Sequence, residues 1–117
     1  SGLAKLKVEA IDLLGKLIPV ISDQAKEFGI VVEGHTDNRP IVSPIFASNW
    51  ELSSNRACTV LRMFEEKGFN RSRIKAIGWG DTRPIVPNTD ENGNQIPENQ
   101  AQNRRVVIRI LRNFDVN

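Results

Sequence analysis

The alternation of helical and strand-like apolar patterns along the chain is the feature that most constrains its fold. Residues 3–28 and 48–67 repeat apolar side chains every three or four positions, which predicts two helices. Residues 30–33, 74–79 and 105–111 are short runs that contain β-branched side chains, and they predict strands. Because strands separated by helices need crossover connections, this order predicts an α/β fold with helices packed on a sheet.

The first helix is predicted to have one apolar stripe and a weak middle. The stripe consists of Leu6, Ala10, Leu13, Leu14, Leu17, Ile21, Ala25 and Phe28. Pro19 lacks an amide N–H and crowds the preceding turn, so we expect a kink or a break there. Gly15 weakens the same region, and Gly29 is expected to end the helix.

The second helix begins with a capping-box pattern. Ser48 is expected to accept a hydrogen bond from the N–H of Glu51, whose carboxylate reaches back to the N–H of Ser48. The helix is predicted to run to about Lys67, and Gly68 to end it. Its predicted apolar side consists of Trp50, Ala57, Val60, Leu61 and Phe64.

The last third of the chain is predicted to be a long loop followed by a strand. Residues 80–103 are rich in Asn, Pro, Gly and Gln, and a loop of that length is often functional. In the strand that follows, Val106, Ile108 and Ile110 are predicted to face the core.

Composition limits the kinds of function open to the chain. Its 117 residues fit a single domain, residues 1–117. One Cys excludes an internal disulfide and a Cys-rich zinc module, and one His argues against a His-based metal site; no cofactor is predicted. A net charge of +2 is too small for a strong nucleic-acid field. Because the sequence begins with Ser1 rather than Met, we expect it to be part of a longer protein.

Two loops that follow predicted strands share a pattern. Residues 34–42 and 80–86 both begin with Gly and end in Arg-Pro-Ile-Val. Ligands usually bind at the carboxyl ends of the strands in such sheets. For the second loop, the simpler interpretation is that Thr82 and Asp81 form a turn.

The first loop contains an acid, Asp37, that the fold can bring close to a basic residue of the second helix. Asn49 and Arg56 are seven residues apart, about two helical turns, and therefore lie on one face of the second helix. Asp37, with Asn49, Ser53 and Arg56, would form a pocket with both signs of charge. Its ligand would be zwitterionic, with an ammonium on Asp37 and a carboxylate on Arg56. The alternative is that Asp37 and Arg56 pair with each other or with solvent.

Four motifs give the chain a resemblance to a known family. They are GHTD at 34–37, NxxLSxxRA at 49–57, GxGD at 78–81 and NRRV at 103–106. In this order they resemble the OmpA-like peptidoglycan-binding domain. The resemblance implies a two-layer sandwich with helices packed on a mixed β-sheet. The family fold begins with a strand before the first helix, and we expect that strand to be absent here or reduced to the first residues. It implies a binding module, not an enzyme.

The resemblance also implies the ligand and its contacts. The ligand would be the diaminopimelate of the peptidoglycan peptide stem. The implied contacts are Asp37, Arg56, Thr36, Asn49 and Arg104, with Leu52 and Ser53 as supporting positions. The segment 90–102 is longer than the family's usual loop before NRRV, which leaves open where Arg104 lies and whether this segment gates the pocket.

Within the family, the sequence around Arg39-Pro40-Ile41 resembles the periplasmic domains of flagellar stator B subunits, the MotB and PomB group. That resemblance implies a periplasmic domain of an inner-membrane protein. Its partners would be a second copy and a stator A subunit, reached through an upstream transmembrane helix. Anchoring would be regulated near the first helix, where Gly15 and Pro19 favour movement. The alternative is a cell-wall anchor unrelated to motility.

Two further functions compete with wall binding. A hydrolase would use His35, Asp37 and Asp81, but no nucleophile motif or metal-ligand cluster accompanies them, and His35 is expected to be structural. A nucleic-acid module would use the basic side chains near the last strand, Arg104, Arg105, Arg109 and Arg112. The small net charge argues against that module.

Overall fold

The computed structural model describes residues 8–25 and 27–111, with side chains from residue 14 onward. Three α-helices and three β-strands follow one another in this part of the chain. They are α1 (Val8–Ala25), β1 (Gly29–Gly34), α2 (Asn49–Glu66), β2 (Ile74–Gly78), α3 (Pro97–Asn103) and β3 (Val106–Leu111). The first residues, where the family's initial strand is expected to be reduced or absent, lie outside the described residues.

The three described strands form one mixed sheet with β1 in the centre. β1 pairs with β2 in parallel, from Ile30 opposite Ile74 to Gly34 opposite Gly78. It pairs with β3 in antiparallel fashion, with Gly34 opposite Val106. Helix α2 is the crossover between the parallel strands. The predicted α/β fold, with helices packed on a mixed sheet, is therefore confirmed.

The core lies between the helices and one face of the sheet. Ile30 and Val32 are two residues apart on β1, so both point to that face, and both are fully buried. Phe64 of α2 meets Phe69 edge-on, with ring centroids 6.0 Å apart. The buried cluster consists of Ile18, Ala25, Ile30, Val32, Ala57, Val60, Phe64, Phe69 and Ile74.

Helix α1 continues through Pro19, so the helix does not break there; a kink at Pro19, the other predicted outcome, stays a prediction. Its core contacts come from Leu14, Ile18, Ile21 and Ala25. Leu17, predicted in the apolar stripe, is 42% exposed because Ile18 occupies the inward position instead. The side chains of Leu6, Ala10 and Leu13 lie outside the described residues. Gly29 does not cap the helix but begins β1.

Helix α2 has the predicted extent and a different cap. The hydroxyl of Ser48 accepts from the N–H of Trp50 at 3.2 Å, rather than from that of Glu51. It also contacts the Glu51 carboxylate, and this hydrogen bond lowers the pKa of Glu51. Trp50 is 53% exposed, so it is not part of the apolar side. Gly68, with φ of +91°, follows the end of the helix as predicted.

The predicted long loop 80–103 contains regular structure. Its last seven residues are helix α3, and Thr89 forms an isolated bridge with Gln95. Helix α3 lacks an apolar stripe, since its buried side chains are Gln100 and Asn103. In β3, Val106 and Ile108 pack against the core, but Ile110 is 45% exposed.

Candidate functional site

A pocket of about 210 Å³ opens at the carboxyl end of β1. Its walls are the loop after β1, the first two turns of α2 and Arg104, which lies two positions before β3. Its lining includes six of the predicted residues, Thr36, Asp37, Asn49, Leu52, Arg56 and Arg104. Four further lining residues were not predicted, Arg39, Pro40, Ile41 and Val42.

The carboxylate of Asp37 is held by two guanidinium groups. Arg39 donates from Nε at 3.1 Å and from Nη2 at 2.9 Å to Oδ2. Arg104 donates from Nη1 to the same oxygen at 2.6 Å. The backbone N–H of Arg39 donates to Oδ1 at 2.9 Å. Burial alone would raise the pKa of Asp37, but the hydrogen bonds from Arg39 and Arg104 lower it, so the group is a carboxylate at neutral pH.

Arg56 is the buried cation of the pocket. Only 8% of the residue is exposed, and Nη1 donates to the backbone oxygen of His35 at 3.2 Å. Burial lowers its pKa, and Arg104 adds to this effect while Asp37 opposes it. Because an arginine starts from a very high pKa, it stays charged. A buried guanidinium that faces a pocket is suited to binding a carboxylate.

Thr36 and Asn49 fix the backbone around Asp37. The hydroxyl of Thr36 donates to the backbone oxygen of Asp37 at 2.9 Å. The amide Nδ2 of Asn49 donates to the backbone oxygen of Arg39 at 3.1 Å and more weakly to that of Asp37 at 3.4 Å. The start of α2 therefore holds the loop that carries the acid.

Ser53 supports the site from outside the pocket. Its hydroxyl donates to the backbone oxygen of Trp50 at 3.0 Å and accepts from the N–H of Gly80 at 2.8 Å. The backbone oxygen of Gly80 in turn accepts from the N–H of Thr36 at 2.9 Å. The second of the two similar loops thus serves to join α2 to the loop of Asp37.

Arg104 reaches the pocket because Asn103 anchors the chain just before it. The fully buried Asn103 side chain accepts from the N–H of Ile85 at 2.9 Å and donates to the backbone oxygen of Val86 at 2.9 Å. The longer segment 90–102 therefore does not displace Arg104. That segment also touches the pocket loop, since Gln100 Nε2 donates to Asn38 Oδ1 at 2.9 Å.

The residues of the competing hydrolase do not surround one pocket. His35 and Asp81 are not among the residues that line the pocket of Asp37. His35 is 3% exposed, and neither of its ring nitrogens has a hydrogen-bond partner in the described part of the chain. Burial lowers the pKa of His35, and Arg105 adds to this effect, so its imidazole is neutral at pH 7.

The basic side chains near β3 are engaged within the fold. Arg104 pairs with Asp37, and Arg109 donates to Glu33 at 2.9 Å. Arg105 donates to the backbone oxygen of Arg83 at 2.9 Å. Three of the four side chains that a nucleic-acid module would use therefore have partners within the fold. Arg112 lies outside the described residues.

The described segments 8–25 and 27–111 contain neither a membrane-spanning helix nor a metal-binding cluster. No helix there is long and apolar enough to cross a membrane. No group of three or more His, Cys, Asp or Glu side chains there is placed to hold a metal ion.

Comparison with known proteins places this geometry in a family. A sequence profile of the OmpA family matches residues 1–104. Motility protein B of Bacillus subtilis is 30% identical over 112 residues, which cover 95% of this chain and 40% of that protein. This chain spans between 12% and 45% of the length of eight curated relatives that it matches.

Two solved structures show the same fold. The C-terminal domain of Helicobacter pylori MotB (residues 125–256) has a TM-score of 0.77 and 29% identity, over 92% of this chain and 76% of that chain. The cell wall anchor of the T6SS from Pseudomonas aeruginosa has a TM-score of 0.78 and 32% identity, over 95% and 72% respectively. The profile match and these structures confirm the resemblance carried by the four motifs: the chain belongs to the OmpA family.

Proposed function

We propose that this chain binds peptidoglycan without a covalent bond and holds a diaminopimelate residue of the peptide stem in the Asp37 pocket. The observation that carries the proposal is the lining of the pocket, where a charged Asp37 and a buried Arg56 come from different elements. The side-chain end of diaminopimelate has one ammonium and one carboxylate. These two groups match Asp37 and Arg56 respectively.

The remaining lining residues complete the binding site in this proposal. Arg104 offers a second guanidinium to a ligand carboxylate, and Thr36 and Asn49 hold the loop in place. Leu52 gives an apolar wall for the methylene groups of the ligand. Binding alone needs no nucleophile, so the site works as an anchor rather than as an enzyme.

For the longer protein, we propose that this domain anchors a flagellar stator complex to the cell wall. The domain would then be the periplasmic part of an inner-membrane protein that forms a homodimer and joins a stator A subunit through an upstream transmembrane helix. The likeness to MotB domains supports this role.

A wall anchor unrelated to motility is the second candidate. The T6SS anchor has a TM-score of 0.78, against 0.77 for the MotB domain, so overall shape does not favour either role. A chimera distinguishes them: this chain replaces the matching domain of a stator B subunit in a motile bacterium. Restored swimming supports the stator role, and wall binding without swimming supports the second candidate.

Calorimetric titration with a diaminopimelate-containing muropeptide tests the binding proposal. Asp37→Asn removes the charge that pairs with the ligand ammonium, and we expect binding to weaken by about 2–5 kcal/mol. Asp81→Asn is the matched control, because it makes the same chemical change at an exposed position outside the pocket lining. Thermal melts check that both variants fold. Equal affinity of Asp37→Asn and Asp81→Asn would refute the site.

A further inference from the structure

We propose that Arg39 determines the specificity of the pocket by occupying Oδ2 of Asp37, an acceptor that a ligand ammonium would otherwise use. The inference rests on the proposed function, because it concerns ligands that carry both an ammonium and a carboxylate. In this view, Arg39 is an internal competitor that the ligand displaces. It acts on ammonium-bearing ligands through Asp37 rather than by binding the ammonium.

The hydrogen bonds of Asp37 leave little room for another donor. Oδ2 accepts from three N–H groups, two of Arg39 and one of Arg104. A carboxylate oxygen has about two lone-pair sites, so the acceptor sites of Oδ2 are already occupied by these hydrogen bonds. Oδ1 accepts from the backbone N–H of Arg39. An ammonium that binds Oδ2 must therefore remove one of the two guanidinium groups.

Displacing Arg39 from Asp37 costs less free energy than displacing Arg104. Its side chain is 51% exposed, against 31% for Arg104, so it regains water more readily. Its nearest nitrogen is 2.9 Å from Oδ2, whereas that of Arg104 is 2.6 Å away. Arg104 also follows the buried anchor Asn103. The Arg39 end of this ion pair is open to solvent although Asp37 is buried, and exposure of a charged group lowers the cost of separating it from its partner.

The charges that line the pocket determine which ligands are disfavoured by the need to displace Arg39. Three arginines, Arg39, Arg56 and Arg104, and one acid, Asp37, line it. A ligand with carboxylates alone benefits from all three cations and has no reason to displace Arg39. A ligand whose ammonium binds Oδ2 must break the pair between Arg39 and Asp37. Arg39 therefore reduces affinity for ammonium-bearing ligands relative to purely acidic ones.

Titration of the 117-residue chain with two small probes tests this inference. meso-Diaminopimelate carries ammonium groups, and pimelate is the same dicarboxylate without them. We expect Arg39→Ala to bind diaminopimelate about 1.5- to 5-fold more tightly than the wild type, the size of effect expected for an ion pair with one end open to solvent. Pimelate should bind no more tightly, because a cation has been removed. Shifts of the Thr36 and Asp37 amide signals at fixed ionic strength report binding.

Two further variants separate competition from a structural effect. Arg39→Lys keeps the charge without the planar fork, so its affinity for diaminopimelate should lie between those of wild type and Arg39→Ala. Arg71→Ala makes the same change as Arg39→Ala at an exposed position that pairs with Glu65, and should match the wild type. Unchanged or weaker diaminopimelate binding by Arg39→Ala would overturn the inference, as would equal tightening for both probes. If no variant, the wild type included, binds diaminopimelate or muropeptide, the proposed function itself is wrong.

Discussion

At the scale of single residues, the site depends on a buried carboxylate that stays charged. Asp37 is only 5% exposed, yet its pKa lies below the usual value because Arg39 and Arg104 donate to it. Burial opposes this shift and does not overcome it. In this arrangement Asp37 is a structural ion-pair partner, and it is also the side chain that we expect to bind the ammonium of a ligand.

This lowered pKa predicts a pH-dependent contribution to stability. A depressed pKa in the folded state stabilises the fold at pH values above the ordinary aspartate pKa. The contribution is lost as the pH falls through the lowered folded-state value. We therefore expect the free energy of unfolding of the wild type to exceed that of Asp37→Asn near neutral pH, by about 1–3 kcal/mol.

Urea denaturation of both proteins between about pH 7 and about pH 2 measures this contribution. The difference between the two curves should shrink at the acid end. Other acids with lowered pKa values, such as Glu33 and Asp90, occur in both proteins and cancel in the comparison. A difference that stays constant with pH would show that Asp37 does not have the inferred pairing.

Sequence motifs predicted most of the pocket residues but not the state of Asp37. GHTD, NxxLSxxRA and NRRV contain Asp37, Arg56 and Arg104, which the fold brings to one pocket. The role of Arg39 was missed because its guanidinium turns back on the acid two positions earlier. An Asp followed two residues later by Arg in a turn is the signal that would have indicated it.

At the scale of elements, two glycines let α2 approach the sheet. A Cβ at Gly34 would overlap the backbone carbonyl of Ser53 and lie 3.3 Å from the backbone nitrogen of Ala57. At Gly78, a Cβ would overlap the side chain and backbone of Ser54. The same contact region holds the bond between Ser53 and Gly80 that supports the pocket.

Gly34→Ala should therefore destabilise the fold. The obstacle is backbone, which cannot rotate away, so we expect a loss of about 1–3 kcal/mol or more in unfolding free energy. Gly15→Ala is the control within a helix, where a Cβ meets nothing within 4 Å. It should stabilise the protein by about 0.5–1 kcal/mol, the usual gain from replacing a helical Gly. Wild-type stability of Gly34→Ala in urea denaturation would contradict this packing.

Elements with a periodic pattern of apolar residues were predicted well, and helix α3, which has no such pattern, was missed. β1, α2, β2 and β3 lie within two residues of their predicted ranges because burial of one face imposes the pattern. Helix α3, with sequence PENQAQN, has no such pattern and is held by the polar side chains of Gln100 and Asn103. Trp50 was misassigned because an apolar residue in the first turn of a helix need not face inward.

At the scale of the whole molecule, a mixed sheet and its helices bring distant parts of the sequence to one pocket. Asp37 and Arg104 are 67 positions apart and meet because β3 pairs with β1 in antiparallel register. The motif order predicted this meeting only through the family resemblance, since spacing alone does not fix which strand lies beside β1. That residues 1–117 form one domain stays a prediction.

The structure of this chain bound to a diaminopimelate-containing muropeptide tests the central claim most directly. We predict that the ligand ammonium lies within hydrogen-bond distance of the Asp37 carboxylate and that a ligand carboxylate lies within hydrogen-bond distance of the Arg56 guanidinium. A muropeptide bound elsewhere on the molecule, or bound in this pocket without contact to Asp37 and Arg56, would contradict the account.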